Sequence, residues 1–341
     1  MSAPVKIGFI GGSGHHYLRE VLDLPSADRF EVAFTSDGHD EAASRQFLSM
    51  VESTARPKPV HFRWITDANA MLDEFKPDIL SIGAVYGFNG DWNRIALGRN
   101  LPIVSDKPIA STWEQFNAIE EAVKANPAKI LLTEFDLRCR PAFRAARDAV
   151  AKGIIGDVVL ATAQKSYRFR ARPSWYADRV SYGGTLLWVA SHGLDVIEFV
   201  AGKPFTRISG TQGNISRRSM PAMQDHVAVV GDLKGGGAAV AHADFLRPDA
   251  TATHADDRIR VAGTQGIIEV RGDRAELLDR DGHVSDITNA AIRTPGIGIT
   301  LYETARGKPS PFFSTAQSIA SARMLLRARD AVEKREWLMI E

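Results

Sequence analysis

The run Val5-Lys6-Ile7-Gly8-Phe9-Ile10-Gly11-Gly12-Ser13-Gly14-His15-His16 decides how the rest of the chain is read. A β-branched and aromatic stretch, Val5–Ile10, breaks into a glycine-rich turn, and a segment of helical spacing, Tyr17–Leu22, follows at once. Short apolar runs bounded by turn residues read as buried strands. At the end of the first strand of a doubly wound fold, such a turn lets the backbone bend sharply and approach a pyrophosphate, with helix N–H groups behind it. Counted from Gly11, Ser13 and His16 stand where the second and third glycines belong; counted from Gly12, Gly14 fits and Tyr17 does not. The turn is a degenerate dinucleotide-binding pattern, with a plain strand-to-helix turn as the competing reading. Gly11, Gly12, Ser13, Gly14 and His15 are its candidate cofactor contacts.

Moving outward, Phe30–Thr35, Pro59–Trp64, Ile79–Ile82, Ile103–Ser105 and Ile130–Thr133 read as further buried strands. Asp40–Val51, Asn69–Phe75, Trp92–Arg99 and Thr112–Ala125 carry helical spacing between them. Strand–helix alternation implies βαβ units and a parallel sheet covered on both faces. The second strand ends at Thr35-Ser36-Asp37-Gly38. An acidic residue there would bind the adenosine ribose and favour NAD, whereas Ser36 in that place would admit a 2′-phosphate, so NAD and NADP both stay open.

Asn126-Pro127 punctuates the chain and sets an expected boundary between a dinucleotide-binding domain, 1–126, and an α+β domain, 127–341. The second part opens with a helix, Pro141–Lys152, then a strand, Val158–Ser166, and a helix, Thr185–Val200, after Gly183-Gly184. From Phe205 strands dominate. His226–Leu233 and Ala238–Phe245 flank the turn Lys234-Gly235-Gly236-Gly237 as a hairpin; Arg258–Ala262, Gly266–Val270 and Ala275–Leu278 follow, and a last helix spans Ser314–Lys334. The expected fold is α/β, a Rossmann domain plus a domain with a large, mainly antiparallel open sheet.

Composition narrows the function. The 341 residues suffice for two domains with sizeable cores, and 44% hydrophobic with 24% charged residues excludes a disordered chain. Lys and Arg number 42 against 41 Asp and Glu, a balance that offers no general field for nucleic acid. No apolar run reaches the roughly 18 residues that cross a bilayer, and the N-terminus lacks the apolar core of a signal peptide, so a cytoplasmic protein without membrane contact is expected. Cys139 is the single cysteine, which rules out an internal disulfide and a cysteine-cluster metal site. No metal is expected.

Further segments sharpen the picture. Ser105-Asp106-Lys107-Pro108 follows the fifth strand, and Gly183-Gly184-Thr185-Leu186-Leu187-Trp188-Val189-Ala190-Ser191-His192-Gly193-Leu194-Asp195 opens a helix. Arg138 with Pro141, Gly153–Gly156-Asp157 and Val261-Ala262-Gly263-Thr264-Gln265-Gly266 complete the set. In order and over nearly the whole chain, it resembles the Gfo/Idh/MocA oxidoreductases, whose hallmarks are an E-K-P tripeptide and a G-G-G-x-x-x-D-x-G-x-H-x-x-D segment. The resemblance implies NAD or NADP as cofactor and hydride transfer at a hydroxyl or carbonyl of a sugar, cyclitol or related small molecule. It also implies a homo-oligomer, dimer or tetramer, built on the open sheet. Lys107 would lie near nicotinamide and substrate, with a cis bond before Pro108. This chain departs from the pattern at Asp106 (usually Glu), Trp188 (usually Asp) and Ala190 (usually Gly). Ala84-Val85-Tyr86-Gly87 replaces a Thr-Pro turn, and the His a few residues on is absent. Ala84 and Tyr86 remain candidate cofactor contacts.

Oxidising a secondary alcohol removes a hydride from carbon and a proton from oxygen, so a base with a suitable pKa must be held at the site. Trp188, His192 and Asp195 fall at i, i+4 and i+7, hence on one helix face. His192 is the expected general acid/base, with Lys107 hydrogen-bonding the reacting oxygen and sharing the proton. Trp188 would stack on a sugar ring or block part of the pocket; Asp195 would orient His192 or bind a second hydroxyl. Arg138, Tyr167 and Trp175 are further substrate contacts, Trp175 on a Pro-containing loop that would cover the pocket. Arg168, Arg170 and Arg172 alternate along an extended stretch, read first as a charged sheet edge and second as a site for an anionic substrate. Two other functions compete: an epimerase, lyase or glycosidase-like enzyme using tightly bound NAD transiently, and a non-catalytic regulator that binds dinucleotide and sugar.

Overall fold

The computed structural model of the chain describes residues 3–25, 29–291 and 295–340. It divides into two compact units, Met1–Glu134 with Pro295–Ala322, and Phe135–Thr294 with Arg323–Glu341.

The first unit holds β1 (Val5–Gly11), β2 (Phe30–Thr35), β3 (His61–Trp64), β4 (Ile79–Gly83), β5 (Ile103–Ser105) and β6 (Leu131–Thr133). They form one sheet in the order β3-β2-β1-β4-β5-β6, with every pairing parallel. The order reverses between β1 and β4, the crevice where doubly wound sheets bind ligands beyond the carboxyl ends of their strands. All of β1 except Lys6 is buried, as a strand covered on both faces must be. The sheet edge is different. β3 alternates between exposed and half-buried residues and starts at His61 rather than Pro59.

Four features differ from the sequence reading here. Tyr17–Asp23 is a 3₁₀ segment, not an α-helix, and Asn69–Phe75 is an α turn running into a π turn at Met71–Phe75. A helix not read in the sequence, Ile297–Ala305, packs on the 3₁₀ segment, where Gly298 N donates to Glu20 Oε2 at 3.0 Å. The boundary placed at residue 126 falls inside this unit, because β6 pairs with β5 and is tied to the returning segment. Leu131 N donates to Thr315 Oγ1 at 3.1 Å, and Thr133 N to Ser318 Oγ at 3.0 Å.

The second unit holds β7 (Val158–Arg168), β8 (Phe205–Gly213), β9 (His226–Leu233), β10 (Ala238–Arg247), β11 (Ala255–Gly263), β12 (Ile267–Arg271), β13 (Arg274–Leu278), β14 (Val284–Asp286) and β15 (Leu338–Met339). They form a nine-stranded sheet in which only the β7–β10 pairing is parallel. The expected hairpin is there, closed by three glycines at positive φ. Helix Ser191–Ala201 covers one face. A Cβ added at Gly193 would lie 3.6 Å from Ala241 Cβ and 3.8 Å from Ala163 Cβ, so small residues on both sides bring helix and sheet close. The helix expected over Thr185–Val200 begins instead as a π turn, Leu186–Ala190. Among the described residues no helix is long and apolar enough to cross a membrane.

Candidate active site

In the first unit, β5 delivers Asp106 and Lys107 to the carboxyl edge of the sheet, and the Lys107-Pro108 bond is cis. Buried asparagines fix this segment. Asn89 accepts from Ala84 N at 3.0 Å and donates to the Asp106 carbonyl at 3.4 Å, while Asn93 donates to Ser105 Oγ and the Ile109 carbonyl. Lys107 is fully buried. Its Nζ donates to Asp106 Oδ1 at 2.7 Å and lies 3.0 Å from His15 Nδ1, which accepts when His15 carries its proton on Nε2. Asp106 also accepts from the backbone N–H of His15 and of Lys107. Burial opposes its ionisation, but Lys107 and His15 outweigh that and hold its carboxyl well below the usual range. Glu134, at the end of β6, behaves in the opposite way. Burial first, then the charge of Asp106, pushes its carboxyl well above the usual range, though Lys107 and the Tyr17 N–H, 3.0 Å from Oε1, pull it back.

The glycine turn beside this pair is shaped by protein contacts and keeps donors to spare. Gly11 has φ +85°, and a Cβ at Gly12 would lie 2.4 Å from the Ala43 carbonyl oxygen. The Gly12 and Ser13 amides meet no protein acceptor among the described residues, whereas Gly14 N donates to the Gly83 carbonyl at 2.9 Å. Two adjacent free N–H groups at the switch point fit the pyrophosphate of a dinucleotide. The 3₁₀ segment behind them supplies less dipole than the expected helix would. Gly12→Ala should lower stability by about 1–3 kcal/mol, read from a denaturant midpoint, because its Cβ meets backbone that cannot yield.

His16 points inward. Its Nδ1 is 2.7 Å from Ser81 Oγ and its ring stacks on Phe47. Burial, only partly offset by the charge of Asp106, lowers its pKa from 6.5 to about 4. Below pH 6.5 the unfolded chain takes up a proton that the fold refuses, so stability is lost as pH falls toward 4, by about 3 kcal/mol in full. Urea midpoints at about pH 7 and about pH 4 should differ by less in His16→Gln than in the parent chain.

At the end of β2 the structure separates the two ribose candidates. Asp37 is buried, and its carboxylate accepts from the N–H groups of His39, Asp40 and Val85. It braces the β2 and β4 loops. Ser36 is half-buried and its hydroxyl accepts only from Gly38 N, so it keeps a donor for a ligand. Ala84 and Tyr86 are buried in the β4 loop.

In the second unit, His192 Nδ1 lies 3.4 Å from Asp136 Oδ1, and its ring meets Phe135 edge-on at 6.2 Å. Asp136 also accepts from Arg140 at 2.9 Å; Arg140 reaches Asp257 at 3.1 Å, and Asp257 pairs with Lys165 at 2.7 Å. Lys165 is buried on the helix-covered face of β7. Burial presses its ammonium toward neutrality, but Tyr167, Asp136 and Asp257 outweigh that and raise its pKa. Tyr167 follows on the same face, its ring centroid 5.0 Å from Lys165 Nζ. Trp175 is half-buried against Tyr176. Trp188 is buried in the π turn, out of step with the α-helical phase expected for it.

Two expected site residues are spent on each other. Asp195 receives both Arg138 Nε, at 3.0 Å, and Arg138 Nη2, and both side chains are buried, with Arg138 also lying over Phe135 and Phe199. The carboxylate beside His192 is thus Asp136 rather than Asp195, which is paired with Arg138. Asp136, Arg140, Lys165, Asp257 and Glu134 were missed. Apart from the i,i+4 pair of Asp136 with Arg140, each is tied to a partner distant in sequence.

A family model described as the GFO/IDH/MocA C-terminal domain matches residues 143–269. The chain is 28% identical over 206 residues to D-glucoside 3-dehydrogenase of Escherichia coli (strain K12), a match covering 60% of this chain and 56% of that protein. It is 22% identical over 228 residues to inositol 2-dehydrogenase 2 of Paenarthrobacter aurescens (strain TC1), covering 65% and 63%. The matches thus span less than two thirds of either relative. A solved structure from Thermotoga maritima, provisionally described as an oxidoreductase, superposes with TM-score 0.88 at 29% identity, covering 98% of this chain and 100% of the other. Levoglucosan dehydrogenase in complex with NADH shares the fold, with TM-score 0.75 at 17% identity and 99% and 100% coverage. Residues 143–269 thus match the GFO/IDH/MocA C-terminal domain, and the parallel six-stranded sheet with the large second sheet is the fold that these oxidoreductase structures share with the chain.

Proposed function

We propose that the protein is an NAD(P)-dependent oxidoreductase that oxidises a secondary hydroxyl of a sugar or cyclitol, or reduces the matching ketone. The observation that carries this reading is the buried Lys107, charge-balanced by Asp106 and hydrogen-bonded to His15, beside the free Gly12 and Ser13 amides. A bound nicotinamide dinucleotide would accept or donate the hydride. Gly12, Ser13 and Ser36 would hold it through their N–H and O–H groups. Lys107 would hydrogen-bond the reacting oxygen and stabilise the negative charge that grows as its proton leaves. His192, oriented by Asp136, would take that proton, and Asp136 would steady the imidazolium. The relatives' names, a glucoside and an inositol dehydrogenase, favour a ring hydroxyl as the reacting group.

The test is absorbance at the reduced-nicotinamide band with NAD and with NADP against sugars, cyclitols and sugar acids. Turnover with at least one class is expected. A purified chain that binds neither dinucleotide in a fluorescence titration would refute the reading.

A further inference from the structure

Past the end of β7 the second unit carries a cluster of arginines without counter-charges. Arg168 ends the strand, Arg170 and Arg172 follow on the segment leading to Trp175, and Arg217 lies between β8 and β9. None of the four is in an ion pair among the described residues. The nearby carboxylates are occupied elsewhere: Asp257 by Lys165 and Arg140, Asp256 by Arg258 and Arg247, and Asp244 by Ser166 and Leu246 N.

Arg172 and Arg217 lie on aromatic rings rather than on acids, while Arg168 Nη1 donates to the Asp249 and Thr251 carbonyls and Arg172 Nη2 to the Arg168 carbonyl. Arg172 Cζ sits 5.1 Å from the Phe245 ring centroid and 5.5 Å from that of Tyr176; Arg217 Cζ sits 4.1 Å from Phe169, which meets Phe245 edge-on at 5.8 Å. Stacking takes up the face of a guanidinium and leaves its in-plane N–H edge for an acceptor. The Nε atoms of Arg168, Arg172 and Arg217 and Nδ1 of His254 are buried with no hydrogen-bond partner. Buried polar groups of this kind are uncommon in folded proteins, and several around one patch point to a missing acceptor. His254 registers the same field. Burial, then Arg172, Arg170, Arg168 and Lys165, lowers its pKa to about 4.

Within the second unit the patch connects to His192. His254 stacks on Tyr167 at 4.6 Å, and Tyr167 covers Lys165, which connects through Asp257 and Arg140 to Asp136 and His192. A charged edge that only keeps sheets apart would direct its donors into water. Arg168, Arg172 and Arg217 are half-buried and the last two lie on rings, which favours the second sequence reading over the first.

We propose that this arginine patch receives an oxyanion, a carboxylate or a phosphate, carried by the sugar-like substrate, so that the preferred substrate is an acidic sugar. The inference rests on the dehydrogenase reading for what happens to that substrate, but not for its binding. Calorimetric titration of the full chain with D-glucuronate, D-glucose 6-phosphate and D-glucose tests it in the parent, Arg172→Gln and Arg217→Gln. At least one acidic probe should bind about tenfold or more tightly than D-glucose, and each variant should weaken that probe about five- to tenfold while leaving D-glucose unchanged. The acidic probe that binds tighter identifies the group.

Thermal melting checks that the variants fold, and added KCl gives a readout without mutation, since it should weaken the acidic probe alone. The proposal is overturned if no acidic probe outbinds D-glucose, or if its affinity ignores both salt and the variants. Dinucleotide-dependent turnover measured in parallel keeps the two ideas apart. Acid-selective binding without turnover would remove the dehydrogenase reading and leave the patch standing, whereas turnover that prefers neutral sugars would do the reverse.

Discussion

Lys107→Met should lower kcat/KM for the oxidised sugar by about a thousandfold, within the range typical of losing a positioned acid–base group, while dinucleotide affinity changes by no more than about threefold. The asymmetry follows from geometry. Lys107 Nζ is held on Asp106 and His15, whereas the amides offered to a pyrophosphate belong to Gly12 and Ser13. Methionine matches the length of the stem in a buried slot but cannot donate a hydrogen bond. Losing the ammonium leaves the buried Asp106 carboxylate without its counter-charge and should lower the melting temperature; Asp106 keeps the N–H groups of His15 and of residue 107, and a thermal melt checks that the variant is folded at the assay temperature. Steady-state rates with a dinucleotide-fluorescence titration on the same preparation check both halves. Parent-level turnover would remove Lys107 from the chemistry.

Asp195→Ala should cost about 3–5 kcal/mol of stability, because it strands the Arg138 guanidinium in the interior. Replacing both partners by apolar side chains, Arg138→Met with Asp195→Leu, should restore most of the loss, since the penalty lies in the unpaired charge. Thermal melts of the single and double variants decide this. A single variant that melts like the parent but shows a raised KM would return Asp195 to the substrate. Asp136→Asn makes the contrast: it should reduce kcat with a much smaller change in melting temperature, since it removes the carboxylate beside His192 while Arg140 keeps Asp257 as its partner.

The comparison of Asp195 with Asp136 shows what the sequence could reveal. Helical spacing placed Asp195 near His192 in the chain, yet the carboxylate beside His192 comes from the segment after β6, and Asp195 is taken by Arg138 from that same segment. Pairings between elements far apart in sequence leave no local trace. Strand alternation does leave one, so the parallel sheet was legible from Val5–Ile10 onward and the hairpin from its three glycines. The 3₁₀ segment after β1 was not, because its packing partner, Ile297–Ala305, lies almost three hundred residues downstream. Asp37 read as a ribose contact from its place after β2, and only the Val85 N–H shows that it is a brace.

The returning segment Pro295–Ala322 bears on how such a protein can be recombined. The first unit is built from two stretches of chain, and the β6 N–H groups donate to side chains of the second. Exchanging that unit with a homologue's by a single crossover near residue 134 would graft one protein's β6 onto another's Thr315 and Ser318. A working chimaera therefore needs three junctions, and gene shuffling in this family should favour inheritance of the two stretches as a linked pair.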